Sequence, residues 1–188
     1  MITTQENKLI YTFNQETVLI EPWGKNAIRV RAIKQAAFPE ENWALTQPCG
    51  HTAAITQTER YAQMENGNLT ARITSGGKLT VYNSRGEKLL EEYARNRRDV
   101  LDPKCSAIEV EAREFRPIPG GDYHLTARFE SLDPNEKIFG MGQYQQPHLN
   151  LKGTDLELAH RNSQASVPFL LSSLGYGLLW NNPAIGRA

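Results

Sequence analysis

Alternation of apolar and polar residues recurs along much of this chain and restricts it to β-structure. In one segment Ile28, Val30 and Ala32 alternate with Arg29 and Arg31. Because successive side chains of a strand point to opposite faces, this pattern places one face on a core and the other in water. Strands covered on one side are typical of antiparallel sheets. The sequence therefore predicts an all-β, antiparallel architecture.

Turn residues separate the alternating segments at short intervals. Alternation returns in residues 69–74, 108–113 and 123–130, and four steps that tolerate positive φ interrupt the pattern: Asn66-Gly67, Gly76-Gly77, Arg85-Gly86 and Gly120-Gly121. Short strands with frequent turns predict a β-sandwich, with a meander of three or four strands between Tyr61 and Tyr93. Helix is expected only as one short turn within residues 132–136. No linker is visible, so residues 1–188 are expected to form a single β-sandwich domain.

Composition excludes several classes of protein. The 188 residues carry 21 basic and 21 acidic side chains, which argues against a nucleic-acid binder. No run approaches the roughly 18 apolar residues of a membrane span, and the N-terminus does not resemble a secretory signal. These features predict a cytoplasmic protein without membrane contact. Neither a P-loop nor a dinucleotide fingerprint is present, so no cofactor is expected.

Three irregular features are interpreted as structural. Cys49 and Cys105 are expected to be reduced thiols, with a disulfide as the alternative. Residues 33–57 are expected to be rich in loops, with Trp43 folded back on the sandwich. The charged run from Glu91 to Asp99 is interpreted as a solvated loop.

The titratable residues give no complete catalytic constellation. His148 and His160 could face each other at a metal, or could be an unrelated loop and strand histidine. Asp155 and Glu157 would lie about 7 Å apart on one strand face. Glycoside hydrolysis requires carboxyl groups that flank a bond, whereas these two would share one surface. No catalytic or metal-binding residue is therefore predicted.

One segment combines neutral donors and acceptors with an aromatic ring. We call residues 143–150 the amide loop. Amides and an aromatic plane are suited to binding sugar hydroxyls and the CH face of a sugar ring. Composition alone, however, favours a loop that contacts another domain. The candidate residues are Gln143, Tyr144, Gln145, Gln146, His148 and Asn150.

The same region resembles a known family. The runs GMGQYQQPHLNLKG, LELAHRNSQASVPFLLSS and LGYGLLWNNP are similar to the N-terminal domain of glycoside hydrolase family 31, in its bacterial α-xylosidase-like and α-glucosidase-like members. Residues 22–32 and 66–92 resemble earlier strands of that domain. The matching positions are Gly140, Gly142, Gln143, Asn150, Lys152, Gly153, Asn162, Pro168, Phe169, Gly175, Tyr176, Gly177, Trp180 and Asn182.

The resemblance implies a galactose-mutarotase-like supersandwich that precedes a catalytic (β/α)8 barrel. Family members hydrolyse α-linked sugars with retention, using two aspartates on the barrel, so this chain would be a truncated, inactive part of such an enzyme. Its expected partners are its own barrel and an α-linked oligosaccharide, with a homo-oligomer also possible. The resemblance further implies that the amide loop lies at the rim of the active site.

Two alternatives from other functional classes remain open. A free-standing carbohydrate-binding module would use the same fold and loop. An aldose epimerase would need a general base and an acid histidine in one cleft, and the sequence shows no such pair.

Overall fold

The structure, a computed structural model, describes residues 1–42, 44–46, 52–99, 101, 104 and 107–188. The predictions for Trp43, Cys49 and Cys105 lie outside these residues. The described part of the chain contains sixteen strands and no helix, and every ladder between named strands is antiparallel. The predicted all-β class is therefore confirmed. The chain divides into two compact units, Met1–Ser131 and Leu132–Ala188.

The first unit is built on two antiparallel sheets. One has four strands in sequential order: β1 (Ile2–Gln5), β2 (Lys8–Phe13), β3 (Glu16–Pro22) and β4 (Ile28–Lys34). The other has five: β5 (Ala54–Gln57), β6 (Tyr61–Asn66), β7 (Leu69–Thr74), β8 (Leu79–Asn83) and β9 (Lys88–Glu91). Strands β6 to β9 confirm the meander that the turn spacing predicts.

The alternating apolar residues of the two sheets form one core, as expected of a sandwich. Val18 and Ile20 of β3 are at most 1 % exposed and cluster with Met64 of β6 and Ile73 of β7. In β4 the same alternation puts Ile28 and Ala32 against this core. The period-two pattern therefore identifies Ile28 and Ala32 as facing the core, whereas Val30, which it assigns to the same face, is 37 % exposed.

A hairpin of β10 (Arg113–Pro117) and β11 (Tyr123–Ala127) completes the first unit. The Arg113 guanidinium contacts Glu92 and lies 2.6 Å from Glu16 Oε1 in β3. It also donates to the Gly77 carbonyl oxygen at 2.8 Å. Burial lowers the pKa of Arg113, but Glu92 and Glu16 outweigh this effect and raise the pKa above its usual value. One buried cation thus joins the hairpin to both sheets.

The prediction of a solvated loop from Glu91 to Asp99 is wrong for its acidic residues. Glu91, Glu92 and Asp99 are at most 4 % exposed. The Lys78 ammonium lies 3.5 Å from both Glu91 Oε1 and Asp99 Oδ2. These carboxylates are buried because cations from other elements pair with them. The sequence of the run does not show which cations these are.

The alternation in residues 108–113 also misleads. It predicts a strand, yet the structure has only an isolated bridge from Val110 to Arg95 before β10 begins at Arg113. Ile108 is 73 % exposed. Alternation assigns faces, but a strand also requires a partner along its length.

The second unit contains a three-stranded sheet and a short two-stranded one. The larger sheet has the order β12 (Ile138–Gln143), β14 (Ala165–Ser172), β15 (Tyr176–Leu179), and the smaller pairs β13 (Glu157–Leu158) with β16 (Gly186–Arg187). Met141, Leu151 and Leu156 form its small core. The helical turn predicted at residues 132–136 is a hydrogen-bonded turn in which Asp133 Oδ1 accepts from the Asn135 amide at 2.8 Å.

None of the described residues belongs to a helix long and apolar enough to cross a membrane.

Replacing Arg113 with leucine tests the buried ion pairs of the first unit. The change leaves two carboxylates without their cation, and we expect the free energy of unfolding to fall by about 3–5 kcal/mol. The matched control is Arg116→Leu, three residues along the chain, because the Arg116 side chain is 74 % exposed in its ion pair with Glu114. Urea denaturation should show a change within about 0.5 kcal/mol for the control. Equal losses in the two variants would contradict the structural role of Arg113.

Candidate functional site

The amide loop begins at a bulge in β12. Gly140, Met141 and Gly142 all have positive φ, at 96°, 65° and 104°, and the ladder with β14 shifts register between the two glycines. A methionine in this conformation is strained. Its side chain is only 5 % exposed and packs in the core, which holds the strained backbone in place.

Both glycines of the bulge lie against the backbone of β14. A Cβ on Gly142 would lie 2.1 Å from the Ala165 carbonyl oxygen, and one on Gly140 would lie 2.6 Å from that of Phe169. No side chain fits at either distance. The bulge therefore depends on glycine for space as well as for φ, and it sets the direction in which the chain leaves β12.

A tyrosine fixes the first end of the amide loop. Tyr144 packs against the core of the second unit, and its hydroxyl lies 2.9 Å from Ser166 Oγ. Ser166 is buried in β14. The aromatic ring predicted to contact a sugar is therefore held against the sheet.

An asparagine fixes the other end. Asn150 Oδ1 accepts from the Ile138 amide at 3.0 Å and from the Lys152 amide at 3.2 Å. The Leu151 amide adds a backbone hydrogen bond to the Ile138 carbonyl oxygen at 2.8 Å. These bonds tie the end of the amide loop to the start of β12.

A buried carboxylate binds several groups near the Asn150 end of the amide loop. Glu136 is 8 % exposed, and its Oε1 accepts from the hydroxyls of Ser172 and, at 2.9 Å, Tyr176. The Lys152 ammonium lies 3.6 Å from Glu136 Oε2 and donates to the Asp133 carbonyl oxygen. Burial and then the bond to Glu136 raise the pKa of Tyr176 to about 12. Glu136 thus joins the ends of β14 and β15 to the base of the amide loop.

Between these anchors the amide loop is exposed. Gln146 is occupied within it, because its Oε1 accepts from the His148 amide at 2.7 Å and its Nε2 donates to the His148 carbonyl oxygen. Gln143, Gln145 and His148 are exposed, and within the described residues no hydrogen bond or ion pair engages their side chains. Leu149 is 81 % exposed beside them.

The six predicted residues therefore separate into two groups. Tyr144, Gln146 and Asn150 shape the amide loop, whereas the side chains of Gln143, Gln145 and His148 face solvent. Sequence reasoning missed the residues that hold the loop, which are Glu136, Met141, Ser166 and Tyr176. Two signals were present in the sequence: Tyr176 is one of the motif positions, and the glycines on either side of Met141 indicate a bulge in a strand.

The acids near the amide loop are each engaged. Asp155 lies 3.6 Å from Arg187, and Glu157 forms an ion pair with Arg161. His148 and His160 are both exposed, and no cluster of three or more potential metal ligands occurs in the part of the chain that the structure describes. Binding through neutral amides and an imidazole is the chemistry that this loop presents.

Apart from the amide loop, a groove lies on the outer face of the four-stranded sheet. This groove of about 500 Å³ is lined by Glu21, Trp23, Arg29, Arg31 and Phe38 among others. The guanidinium of Arg29 lies 4.6 Å from the Trp23 ring centre, and that of Arg31 lies 3.0 Å from Glu21 Oε1. These ion pairs do not satisfy every polar group of the groove, since Glu21 Oε1, Arg31 Nε and Asn42 Oδ1 are buried without a hydrogen-bond partner. The groove is therefore a second candidate for a ligand contact, beside the amide loop.

The chain is similar to a known protein family, to individual members of that family and to solved structures. Residues 17–187 match the family model of the glycosyl hydrolase 31 N-terminal galactose mutarotase-like domain. An uncharacterized family 31 glucosidase, ORF2, from Pseudescherichia vulneris is 50 % identical over 97 % of the chain, and alpha-xylosidase A from Aspergillus niger is 30 % identical over 92 %. The crystal structure of a GH31 alpha-xylosidase from a soil metagenome, complexed with xylose, superposes with a TM-score of 0.93 at 47 % identity over the whole chain.

The chain spans only part of each of these proteins. It covers 36 % of the Pseudescherichia protein, 25 % of the Aspergillus enzyme and 29 % of the soil-metagenome chain. Most of the length of each relative therefore lies outside the region that this chain matches.

Gly142→Ala tests the close approach of β12 to β14. The new methyl group would meet the Ala165 carbonyl oxygen, so we expect a loss of more than about 2 kcal/mol in the free energy of unfolding. Gly153→Ala is the matched control, because Gly153 has a φ of 79° but open space around its missing side chain. Its cost should be about 1 kcal/mol, from the left-handed backbone alone. Denaturant unfolding measures both, and equal costs would contradict the steric argument.

The raised pKa of Tyr176 predicts that the stability of the fold depends on pH. An unfolded tyrosine titrates near pH 10, and the pKa of Tyr176 is raised to about 12. The protonated hydroxyl therefore stabilises the fold fully below pH 10, and this contribution is lost as pH rises from 10 towards 12. Unfolding free energies measured across this range should fall less steeply in Tyr176→Phe. Glu136→Gln should make the decline smaller and end it at a lower pH, since the bond to the carboxylate helps raise the folded-state pKa of Tyr176 whereas the unfolded pKa stays near 10. An unchanged slope in Tyr176→Phe would contradict the role of the hydroxyl.

Proposed function

The chain belongs to glycosyl hydrolase family 31 as its N-terminal galactose mutarotase-like domain, and on this premise we propose that it serves as the non-catalytic N-terminal domain of a longer retaining α-glycosidase. The proposed substrate is a terminal α-xyloside, with an α-glucoside as the alternative. The names of the Aspergillus and soil-metagenome enzymes support the xyloside, and that of the Pseudescherichia protein supports the glucoside.

The observation that carries the proposal is the architecture of the amide loop. One end is fixed to the buried Ser166 and the other to the Ile138 amide at the start of β12, whereas Gln143, Gln145 and His148 extend into solvent. A loop held in this way presents its donors and acceptors with little loss of conformational freedom on binding. We propose that these three side chains contact sugar hydroxyls at the rim of the active site.

The chemistry of bond cleavage is assigned to the rest of the enzyme. Retaining hydrolysis needs two carboxyl groups about 5–5.5 Å apart across the scissile bond. The four acids near the amide loop have partners instead: Asp133 accepts from a turn amide, and Glu136, Asp155 and Glu157 pair with cations. The domain would therefore position substrate but move no proton.

A free-standing carbohydrate-binding module is the second candidate function. The exposed donors of the same loop favour it, because they are available without any further chain. Calorimetry of the isolated chain with a xylosylated oligosaccharide distinguishes the two functions, because a free-standing module should bind the sugar without any further chain. A cytoplasmic location and a homo-oligomeric state remain predictions from the sequence.

The main test uses a chimera in which this chain replaces the matching part of the Pseudescherichia vulneris protein. Gln145→Ala and His148→Ala should each raise the KM for an aryl α-xyloside or α-glucoside by roughly 2- to 10-fold, the value of one hydrogen bond, with a smaller change in kcat. His160→Ala is the matched control, since His160 is also exposed but lies outside the loop.

The isolated chain should show no turnover of either substrate. Turnover that copurifies with the isolated chain would overturn its assignment as non-catalytic. An unchanged KM in both loop variants would overturn the contact between loop and substrate.

A further inference from the structure

The groove on the four-stranded sheet has an apolar base. Leu19 of β3 lies in register with Ile10 of β2 and with Arg31 of β4, and all three line the groove. Leu19 is only 6 % exposed, although it alternates with Val18 and Ile20, which face the core of the first unit. The sheet is therefore covered on its outer side as well, at the place where the groove lies.

A row of contacting side chains lines the groove above this base. The Arg29 guanidinium lies 4.6 Å from the Trp23 ring centre, and that of Arg31 lies 4.9 Å from the Phe38 ring centre. Glu21 Oε1 contacts both cations, at 3.7 Å from Arg29 and 3.0 Å from Arg31. Both rings are half-buried, and each is held on one side by a guanidinium. The aromatic and charged groups are thus ordered before any ligand binds.

The polar groups of the groove are incompletely satisfied. Glu21 Oε1, Arg31 Nε and Asn42 Oδ1 are buried without a hydrogen-bond partner. Such atoms are destabilising, because they have lost water and gained no bond in exchange. Two of the three are acceptors and one is a donor. A ligand that satisfies all three must therefore both donate and accept hydrogen bonds.

This requirement selects among classes of ligand. An inorganic anion offers acceptors alone and would be repelled by Glu21, whereas a metal cation would be repelled by Arg29 and Arg31. A hydroxyl group donates as well as accepts, and the CH face of a sugar ring packs on an aromatic plane. The volume of about 500 Å³ is that of an ordinary small-molecule site.

We propose that the groove binds a neutral oligosaccharide, with hydroxyl groups bonded to Glu21, Arg31 and Asn42 and sugar rings packed on Trp23 and Phe38. Side chains at a binding surface commonly change rotamer, and such a change turns the three unpartnered atoms toward the ligand. Every residue that lines the groove belongs to the first unit. The inference does not rest on the contact proposed for the amide loop, which belongs to the second unit.

Calorimetry of the chain with three neutral probes tests the site. The probes are a xyloglucan heptasaccharide, maltotetraose and cellotetraose, and at least one should bind with a dissociation constant of about 1 mM or tighter. Binding should persist in Gln145→Ala and His148→Ala, which alter the amide loop. The absence of binding for all three probes would overturn the proposal. Binding that the two loop variants abolish would assign the sugar to the loop and would also overturn it.

An aromatic substitution locates the bound sugar. Trp23→Ala should weaken binding by about 5-fold or more, because a sugar ring loses its packing surface. Tyr61→Ala is the matched control, since the Tyr61 ring also packs on a guanidinium, that of Arg72 at 4.4 Å, but on the five-stranded sheet. The control should bind like the unaltered chain. Equal affinities in the two variants would contradict a site in the groove.

Asn42→Ala distinguishes a binding role from a structural one. The change removes an acceptor that has no partner in the free chain, so the Tm should stay within about 2 °C of its original value or rise. The affinity for the sugar should nevertheless fall by roughly 2- to 10-fold, the value of one hydrogen bond. An unchanged affinity in a variant that retains its Tm would overturn this part of the proposal.

Glu21→Gln distinguishes a sugar from an anion. The change removes the negative charge that Arg29 and Arg31 share, so inorganic sulfate should bind more tightly if the groove is an anion site. A neutral sugar should instead bind about 2- to 10-fold more weakly, because a charge-assisted hydrogen bond is replaced by a neutral one. Thermal unfolding checks that the variant is folded. Sulfate binding that Glu21→Gln strengthens, without binding of any sugar probe, would overturn the proposal in favour of an anion.

Discussion

Buried carboxylates hold together elements that share no ladder, and both units depend on them. In the first unit, Glu92 pairs with Arg113 and its Oε2 accepts from the Leu79 amide at 2.8 Å, so one side chain joins the β10–β11 hairpin to the five-stranded sheet. In the second unit, Glu136 accepts hydrogen bonds from Ser172 and Tyr176 and forms an ion pair with Lys152. Burying a charge is costly unless it is paired and hydrogen-bonded. Both groups meet that condition, and the loss of either partner would leave an uncompensated charge in the interior.

The candidate site follows from this arrangement. Glu136 and Asn150 fix one end of the amide loop, and the bulge at Met141 fixes the other by directing the chain out of β12. The strained backbone at Met141 is held by its side chain, which is buried in the core of the second unit. Backbone strain and a buried ionic group, both costly alone, together present exposed amides on a rigid base. That combination suits recognition of a neutral, polyhydroxylated ligand better than it suits catalysis.

Much of the fold could be predicted from local pattern. Alternation identified inward-facing residues of β4 and β7, and turn residues predicted the meander from β6 to β9. The family motif also located the amide loop. The same reasoning failed at residues 108–112, where the described residues form one isolated bridge, between Val110 and Arg95, in place of a strand, and at Glu91, which was expected to be solvated. Pattern describes one segment at a time, whereas ladders and ion pairs need a second segment distant in sequence.

The sequence by itself determined the all-β class, the sandwich, the family and the segment in which a site should be sought, because period, turn chemistry and motif are local properties. Only the tertiary structure decided which residues of that segment face solvent. Tyr144 and Asn150 have the chemistry of a ligand contact, yet both are used to hold the loop. Phe169 and Leu171 have the composition of a buried strand, yet they are 40 % and 50 % exposed. The physical reason is the same in both cases: a side chain's role is set by the atoms that reach it, and those come from elsewhere in the chain.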